Sequence, residues 1–215
     1  MLTVAIAKGR LFDPSLELFS KLGYRTRVRE TESRKLVISD RRGNLRFLFV
    51  KPADVPVYVE YGVADLGIVG RDVLWEADPD VHQPLDLKFG YCRIVVAGLK
   101  GTVIQNGREP VSTLRVATKY PRLAAEYFTG RGIPVEIITL SGSIELAPTL
   151  GLSDCIIDLV QTGRTLQENG LTVLEVIGES TARLIVNRAS YQLRRREISD
   201  LLDQIERRMG KKKTP

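Results

Sequence analysis

The chain has 215 residues, enough for one large domain or two small ones. Its 43% hydrophobic and 27% charged content is that of an ordinary globular protein, and no run of about 18 apolar residues is present, which excludes a transmembrane helix. The formal net charge of +6 points towards polyanionic partners: nucleotides, phosphates or nucleic acid.

Leu2–Ala7 is an apolar first strand with no charged segment before it, so a strand and not a signal peptide is expected at the N-terminus. Lys8-Gly9-Arg10 is a loop, and Asp13-Pro14 is expected to open a helix that Gly23 stops. Lys35–Asp40 and Leu45–Val50 flank Arg41-Arg42-Gly43-Asn44 and form a hairpin pattern. Pro52–Tyr61 reads as a short helix, Asp65–Val69 as a buried strand, and a short helix with Trp75 follows Gly70. His82 lies beside Pro84 in an expected loop.

Near Gly90 a second unit begins. Tyr91–Gly98, Leu114–Thr118, Val135–Leu140 and Cys155–Val160 are strands, with helices at Tyr120–Phe128, Ser143–Thr149 and from Thr165. Val173–Ile177 and Ala182–Val186 are further strands. Tyr191–Met209 is a helix with Ile198, Leu201, Leu202, Ile205 and Met209 on one apolar stripe. Strands alternating with helices imply an α/β class with parallel sheets. No low-complexity linker separates the halves, so strands crossing between two α/β lobes are expected to join them. The expected division is 1–90 plus 179–215 against 91–178, with the cleft between lobes as the default ligand site. Cys92 and Cys155 sit in apolar stretches and suit a reduced, cytoplasmic protein.

Four segments carry chemistry. In Cys155–Leu166 an apolar strand delivers Asp158 near its end, and Thr162-Gly163-Arg164-Thr165 then opens a helix. Ligands of parallel sheets bind beyond the carboxyl ends of strands, where helix N-termini offer unpaired N–H groups to anions. Gly163 permits close approach, Thr162 and Thr165 add hydroxyls, Arg164 adds charge, and Thr165 with Glu168 matches a capping box. An acid for a diol and a loop for a phosphate suit a ribose 5-phosphate, although a plain strand–turn–helix junction has the same spacing. Ser141-Gly142-Ser143, with Glu145 behind it, repeats the pattern and offers a second anion site. Lys8, Arg10, Arg34 and Lys51 are basic; Lys8, Arg10 and Lys51 stand at strand ends, where as a set they would neutralise a pyrophosphate, though singly each suits a surface. Gly67 and Gly70 suggest close backbone approach, with Asp72 near a helix start; tight strand–helix packing and a plain N-cap are the more ordinary explanation. One histidine and two separated cysteines leave metal ligands unassigned and make a histidine-based nucleophile an unpromising reading.

Glu145, Gly151, Ser153, Ile156, Asp158, Leu159, Thr162-Gly163, Thr165 and Leu166, in that order and without gaps, resemble the signature of the ATP phosphoribosyltransferase family of histidine biosynthesis. The resemblance extends to Ala7–Leu11, Ala53–Pro56, Gly62–Gly67, Asn187 and Ser190-Tyr191. It implies two α/β lobes similar to type II periplasmic binding proteins, with the active site in the inter-lobe cleft. It implies joining adenine N1 of ATP to C1 of phosphoribosyl pyrophosphate, with pyrophosphate leaving and magnesium accompanying it. By the same resemblance Thr162–Leu166 and Asp158 belong to the phosphoribosyl site, while Lys8, Arg10 and Arg34 face pyrophosphate or ATP phosphates. Several relatives carry arginine where Lys51 stands, and lysine lacks the bidentate fork. The length resembles the short form, which implies a dimer and a separate regulatory subunit similar to a histidyl-tRNA synthetase.

Two other readings compete. A solute-binding protein would share the two-lobed fold, but the phosphate-type loops and the expected lack of a signal peptide argue against it. A nucleic-acid-binding protein would suit the charge and the basic run from Arg194 to Lys213, but 7% aromatic residues do not form stacking platforms among the basic ones. A solvated helix face explains that run.

Overall fold

The computed structural model describes residues 1–25, 35–104 and 113–210. In chain order the elements are β1 (Leu2–Ala7), α1 (Phe12–Lys21), β2 (Val37–Ser39), β3 (Leu45–Val50), a 3-10 turn (Pro52–Asp54), α2 (Val55–Glu60), β4 (Leu66–Gly70), α3 (Arg71–Ala77) and β5 (His82–Asp86). They continue with β6 (Cys92–Leu99), β7 (Leu114–Thr118), α4 (Pro121–Thr129), β8 (Val135–Thr139), α5 (Leu146–Thr149), β9 (Cys155–Val160), α6 (Arg164–Glu168) and β10 (Leu171–Ser180). The last are β11 (Ala182–Val186), α7 (Arg188–Leu193) and α8 (Arg195–Gly210).

Two units result: Met1–Gly90 with Thr181–Pro215, and Tyr91–Ser180. The first unit holds one sheet in the order β2-β3-β1-β4-β11-β5. Strands β1, β3 and β4 run parallel, and β11 lies antiparallel to β4. β1 is buried at every position, as a strand covered on both faces must be. One face packs Phe12 and Phe19 of α1 and Ile198, Leu201 and Ile205 of α8. The other packs Val55 and Val59 of α2 and Leu74 of α3. Thus the apolar stripe read on the last helix is a core face. At the start of β4, Asp65 accepts hydrogen bonds from the Thr3 amide, the Ser190 hydroxyl and Arg194, tying β1 to the final helices.

The second unit is a sheet in the order β10-β6-β9-β7-β8, with β7 parallel to both β8 and β9. β6 and β10 are antiparallel additions, and the register of β10 on β6 shifts twice, between Val173 and Glu175 and between Val176 and Gly178. Val95, Ala97, Ala117, Ile156, Val160 and Leu171 form one face, covered by Ile144, Ala147 and Leu166.

Several local expectations change. Helix α1 starts at Phe12, so Asp13 lies inside the first turn rather than at the cap. His82 is in an edge strand, not a loop; Pro84 fits there because an edge position needs no second ladder hydrogen bond. Its imidazole meets Tyr191 edge-on at 5.3 Å between centroids. The last helix is two helices, broken at Arg194. Both cysteines are buried and free.

Candidate active site

In the second unit the parallel strands deliver their carboxyl ends to one edge. Thr118 of β7 pairs with Thr139 of β8 on one side and Ile157 of β9 on the other. The next residues, Lys119, Leu140 and Asp158, therefore stand side by side. The Leu140 amide donates to the Thr118 carbonyl at 3.0 Å, and the Thr118 hydroxyl donates to the Ile157 carbonyl at 2.8 Å. Side chains alternate along strands, so Asp158, two residues after buried Ile156, takes the same face of the sheet. Continuing the alternation from Ala117 puts Lys119 on that side as well.

Asp158 is partly buried, and burial pushes its pKa up. The Leu159 amide, donating at 2.8 Å, and the Lys119 charge pull it back down, while the Glu145 charge adds to the rise. Beyond Asp158 the chain turns at Gly163, whose φ of 83° is left-handed and suits glycine. Thr162, Arg164 and Thr165 are exposed around that turn. Ser141, Gly142 and Ser143 are exposed after β8, and Glu145 precedes α5. One sheet edge thus brings together a carboxyl, a cation and two turns rich in small hydroxyl residues.

Four expectations at this edge need correction. No capping box forms at Thr165: Gly163 is the cap, the helix begins at Arg164, and Glu168 is held by the Arg164 guanidinium at 2.7 Å. Helix α6 has five residues, so its dipole is small and the loop itself must do the holding. Ser143 does not start a helix; its φ of 49° is left-handed, and α5 begins at Leu146. Leu166 is 5% exposed and packs under the sheet face, so it supports the turn from below and does not line an open site. Lys119 carries no signal in the sequence, because a lone lysine between a strand and Tyr120-Pro121 has no motif; only the strand order places it.

In the first unit the carboxyl ends of β1, β3 and β4 also share an edge. Ala7 pairs with Val50, and the Lys8 amide donates to the Val50 carbonyl at 2.9 Å. Ile6 pairs with Ile68, which sets Lys8 level with Gly70. Lys8, Lys51 and Gly70 therefore leave the sheet together, with exposed Arg10 after Gly9, a glycine at φ 84°. Asp72 is buried in the first turn of α3. Gly67 has a different place. It is buried within β4, and a Cβ there would come within 2.8 Å of both Val55 and Val59, so its smallness admits α2 rather than a ligand. Arg34 lies outside the described residues.

A family model described as ATP phosphoribosyltransferase matches residues 51–207. The chain belongs to the ATP phosphoribosyltransferase family. The match spans every candidate residue of the second unit, along with Lys51, Gly67, Gly70 and Asp72. An ATP phosphoribosyltransferase from Geobacillus kaustophilus is 53% identical over 205 residues, covering 95% of this chain and 97% of its own. One from Geobacter metallireducens is 48% identical over 206 residues, covering 96% and 97%. A solved chain of the ATP phosphoribosyl transferase (HisG:HisZ) complex from Thermotoga maritima is 36% identical, with a TM-score of 0.84, covering 98% of this chain and 99% of that one. The periplasmic aliphatic sulphonate binding protein SsuA from Escherichia coli, at 14% identity and a TM-score of 0.55, shares the fold alone and covers 97% of this chain and 72% of its own. The chain therefore has the two-unit fold of type II periplasmic binding proteins.

Proposed function

We propose that this chain is the catalytic subunit of a short-form ATP phosphoribosyltransferase, working in the cytoplasm at the first step of histidine biosynthesis. The observation that carries the assignment of roles is the shared edge of β7, β8 and β9, with Asp158 beside two hydroxyl-lined turns. Asp158 accepts hydrogen bonds from the ribose hydroxyls of phosphoribosyl pyrophosphate. Thr162, Gly163, Arg164 and Thr165 hold its 5-phosphate. Ser141, Gly142 and Ser143 take a further phosphate group. Lys8, Arg10, Arg34 and Lys51 serve the pyrophosphate or the ATP phosphates.

The chemistry matches that inventory. Adenine N1 carries a lone pair and forms the bond to C1 as the C1–oxygen bond breaks and pyrophosphate departs with the electron pair. No strong base is needed for the attack. What must be supplied is alignment of two anionic substrates and stabilisation of charge on the leaving group. Lysines, arginines and oriented amides do both.

Among the described residues no group of three or more His, Cys, Asp or Glu side chains could hold a metal ion. That donor set does not suit a resident ion. Magnesium fits as a companion of the pyrophosphate, bound chiefly through phosphate oxygens and water. No helix of the described residues is long and apolar enough to cross a membrane. A histidyl-tRNA-synthetase-like regulatory subunit is the expected partner, as the Thermotoga maritima complex suggests, along with a second copy of the chain.

The test is a mixture of the protein with ATP, phosphoribosyl pyrophosphate and magnesium, followed by the absorbance change of the adduct. Turnover, alone or with the partner subunit, is expected. No turnover under either condition would overturn the assignment.

A further inference from the structure

We infer that Lys119 is a positioning residue for the phosphoribosyl site, holding the Asp158 carboxyl in the form that accepts hydrogen bonds from the sugar. The inference rests on the assignment of Asp158 to the ribose hydroxyls and goes beyond it by naming what keeps that carboxyl competent.

Three observations support it. The first is place: β7 lies between β9 and β8 in the sheet, so Lys119 leaves the sheet between Asp158 and Leu140, the residue that leads into Ser141–Ser143. Lys119 thus leaves the sheet between the strand that leads to Thr162–Thr165 and the strand that leads to Ser141–Ser143. The second is the surroundings of Asp158. It continues the face formed by Ile156 and Val160, an apolar setting that favours the neutral acid. The groups acting on it are the Leu159 amide, Lys119 and Glu145; Lys119 is the lone cation of the three, and Glu145 opposes it. A neutral carboxyl has lost acceptor capacity and charge, both of which a diol needs. The third is freedom: Lys119 is exposed, its ammonium 5.4 Å from the Tyr120 ring centroid. The adjacent backbone is anchored separately, by the Thr118 hydroxyl accepting from the Tyr120 amide at 2.9 Å. Removing the lysine head therefore leaves the strand end built.

The experiment compares wild type, Lys119→Met, Lys119→Arg and Asp158→Asn across pH, using the adduct assay with phosphoribosyl pyrophosphate varied and ATP saturating. Lys119→Met is expected to raise KM for phosphoribosyl pyrophosphate about two- to fivefold near neutral pH, the scale of one exposed charge pair. Its acid limb should move to higher pH, so the defect grows on acidification. Lys119→Arg should restore the limb, and circular dichroism of all variants should match wild type. In Asp158→Asn the limb should disappear. If Asp158→Asn keeps the limb, the assignment of Asp158 fails. If Asp158→Asn loses it while Lys119→Met leaves its position unchanged, or if arginine does not restore it, the role of Lys119 fails alone.

Discussion

Burial raises the pKa of Asp158, and that shift has a consequence for folding as well as for binding. A carboxyl whose folded pKa lies above its unfolded one costs stability once pH rises through the folded value, and costs nothing below the unfolded one. Asp158→Asn keeps the shape and the acceptor facing the Leu159 amide while removing the charge. Thermal melts are expected to show the variant more stable than wild type at about pH 7, with the difference vanishing towards about pH 4, where model carboxylates become protonated. Titration calorimetry should show weaker binding of phosphoribosyl pyrophosphate by the same variant. A variant less stable than wild type at neutral pH would contradict the burial argument. Gly163 makes a second case. Its φ of 83° is costly for any other residue by about 1–2 kcal/mol, yet a Cβ there meets only Val160, at 3.8 Å. Gly163→Val should therefore fold but displace the turn, lowering kcat/KM for phosphoribosyl pyrophosphate by roughly a hundredfold. Wild-type kinetics in that variant would remove the turn from the site.

At the scale of elements, the strands that sequence reading located best are those buried on both faces. β1 and β3 match Leu2–Ala7 and Leu45–Val50 end to end; β1 is buried at every position, and β3 at all but Arg46 and Val50. β5 is hidden in the sequence because Pro84 breaks a strand pattern, and only the sheet order shows that an edge position tolerates it. Helix starts were the weaker part. Gly163 and Ser143 adopt left-handed φ, which shifts α6 and α5 away from the threonine and serine that resemble caps. Gly67 in sequence suits either close ligand approach or tight packing, and in space it is a packing glycine; Gly67→Ala is expected to lower stability by about 1–3 kcal/mol through overpacking against α2. Urea denaturation with unchanged stability would return Gly67 to the site. The edge strand itself depends on Asp86. Burial alone would raise its pKa, but hydrogen bonds from the Lys88 side chain and amide and from Thr181, with the Arg183 charge nearby, bring it down to about 2. Its contribution is present above the ordinary carboxylate range and lost as pH falls through about 2. Asp86→Asn should cost about 1–2 kcal/mol at neutral pH, with the gap to wild type closing as the medium is acidified.

For the whole molecule, the division of the chain puts different reporters in different units. The first unit takes both ends of the chain and holds Trp75, the one tryptophan in the sequence. The second unit, Tyr91–Ser180, is an uninterrupted stretch and holds both cysteines. The chain passes between the units at two points, and the first unit is closed where it does so: the Ala182 amide donates to the Phe89 carbonyl at 2.9 Å. Cys92 and Cys155 have no exposed surface, and burial, with a smaller push from Asp154, takes the Cys155 thiol up to about 12. An ordinary thiol, with a pKa of about 8.5, is partly thiolate at pH 8 and reacts with a disulfide reagent within minutes. Neither cysteine should do so in native buffer. Both should react once urea opens the second unit, so the thiol count follows that unit while Trp75 emission follows the first. One thiol titrating rapidly while Trp75 keeps its native emission would mean that the β6–β9 pairing, on which the position of Asp158 depends, is looser than the register of those strands implies.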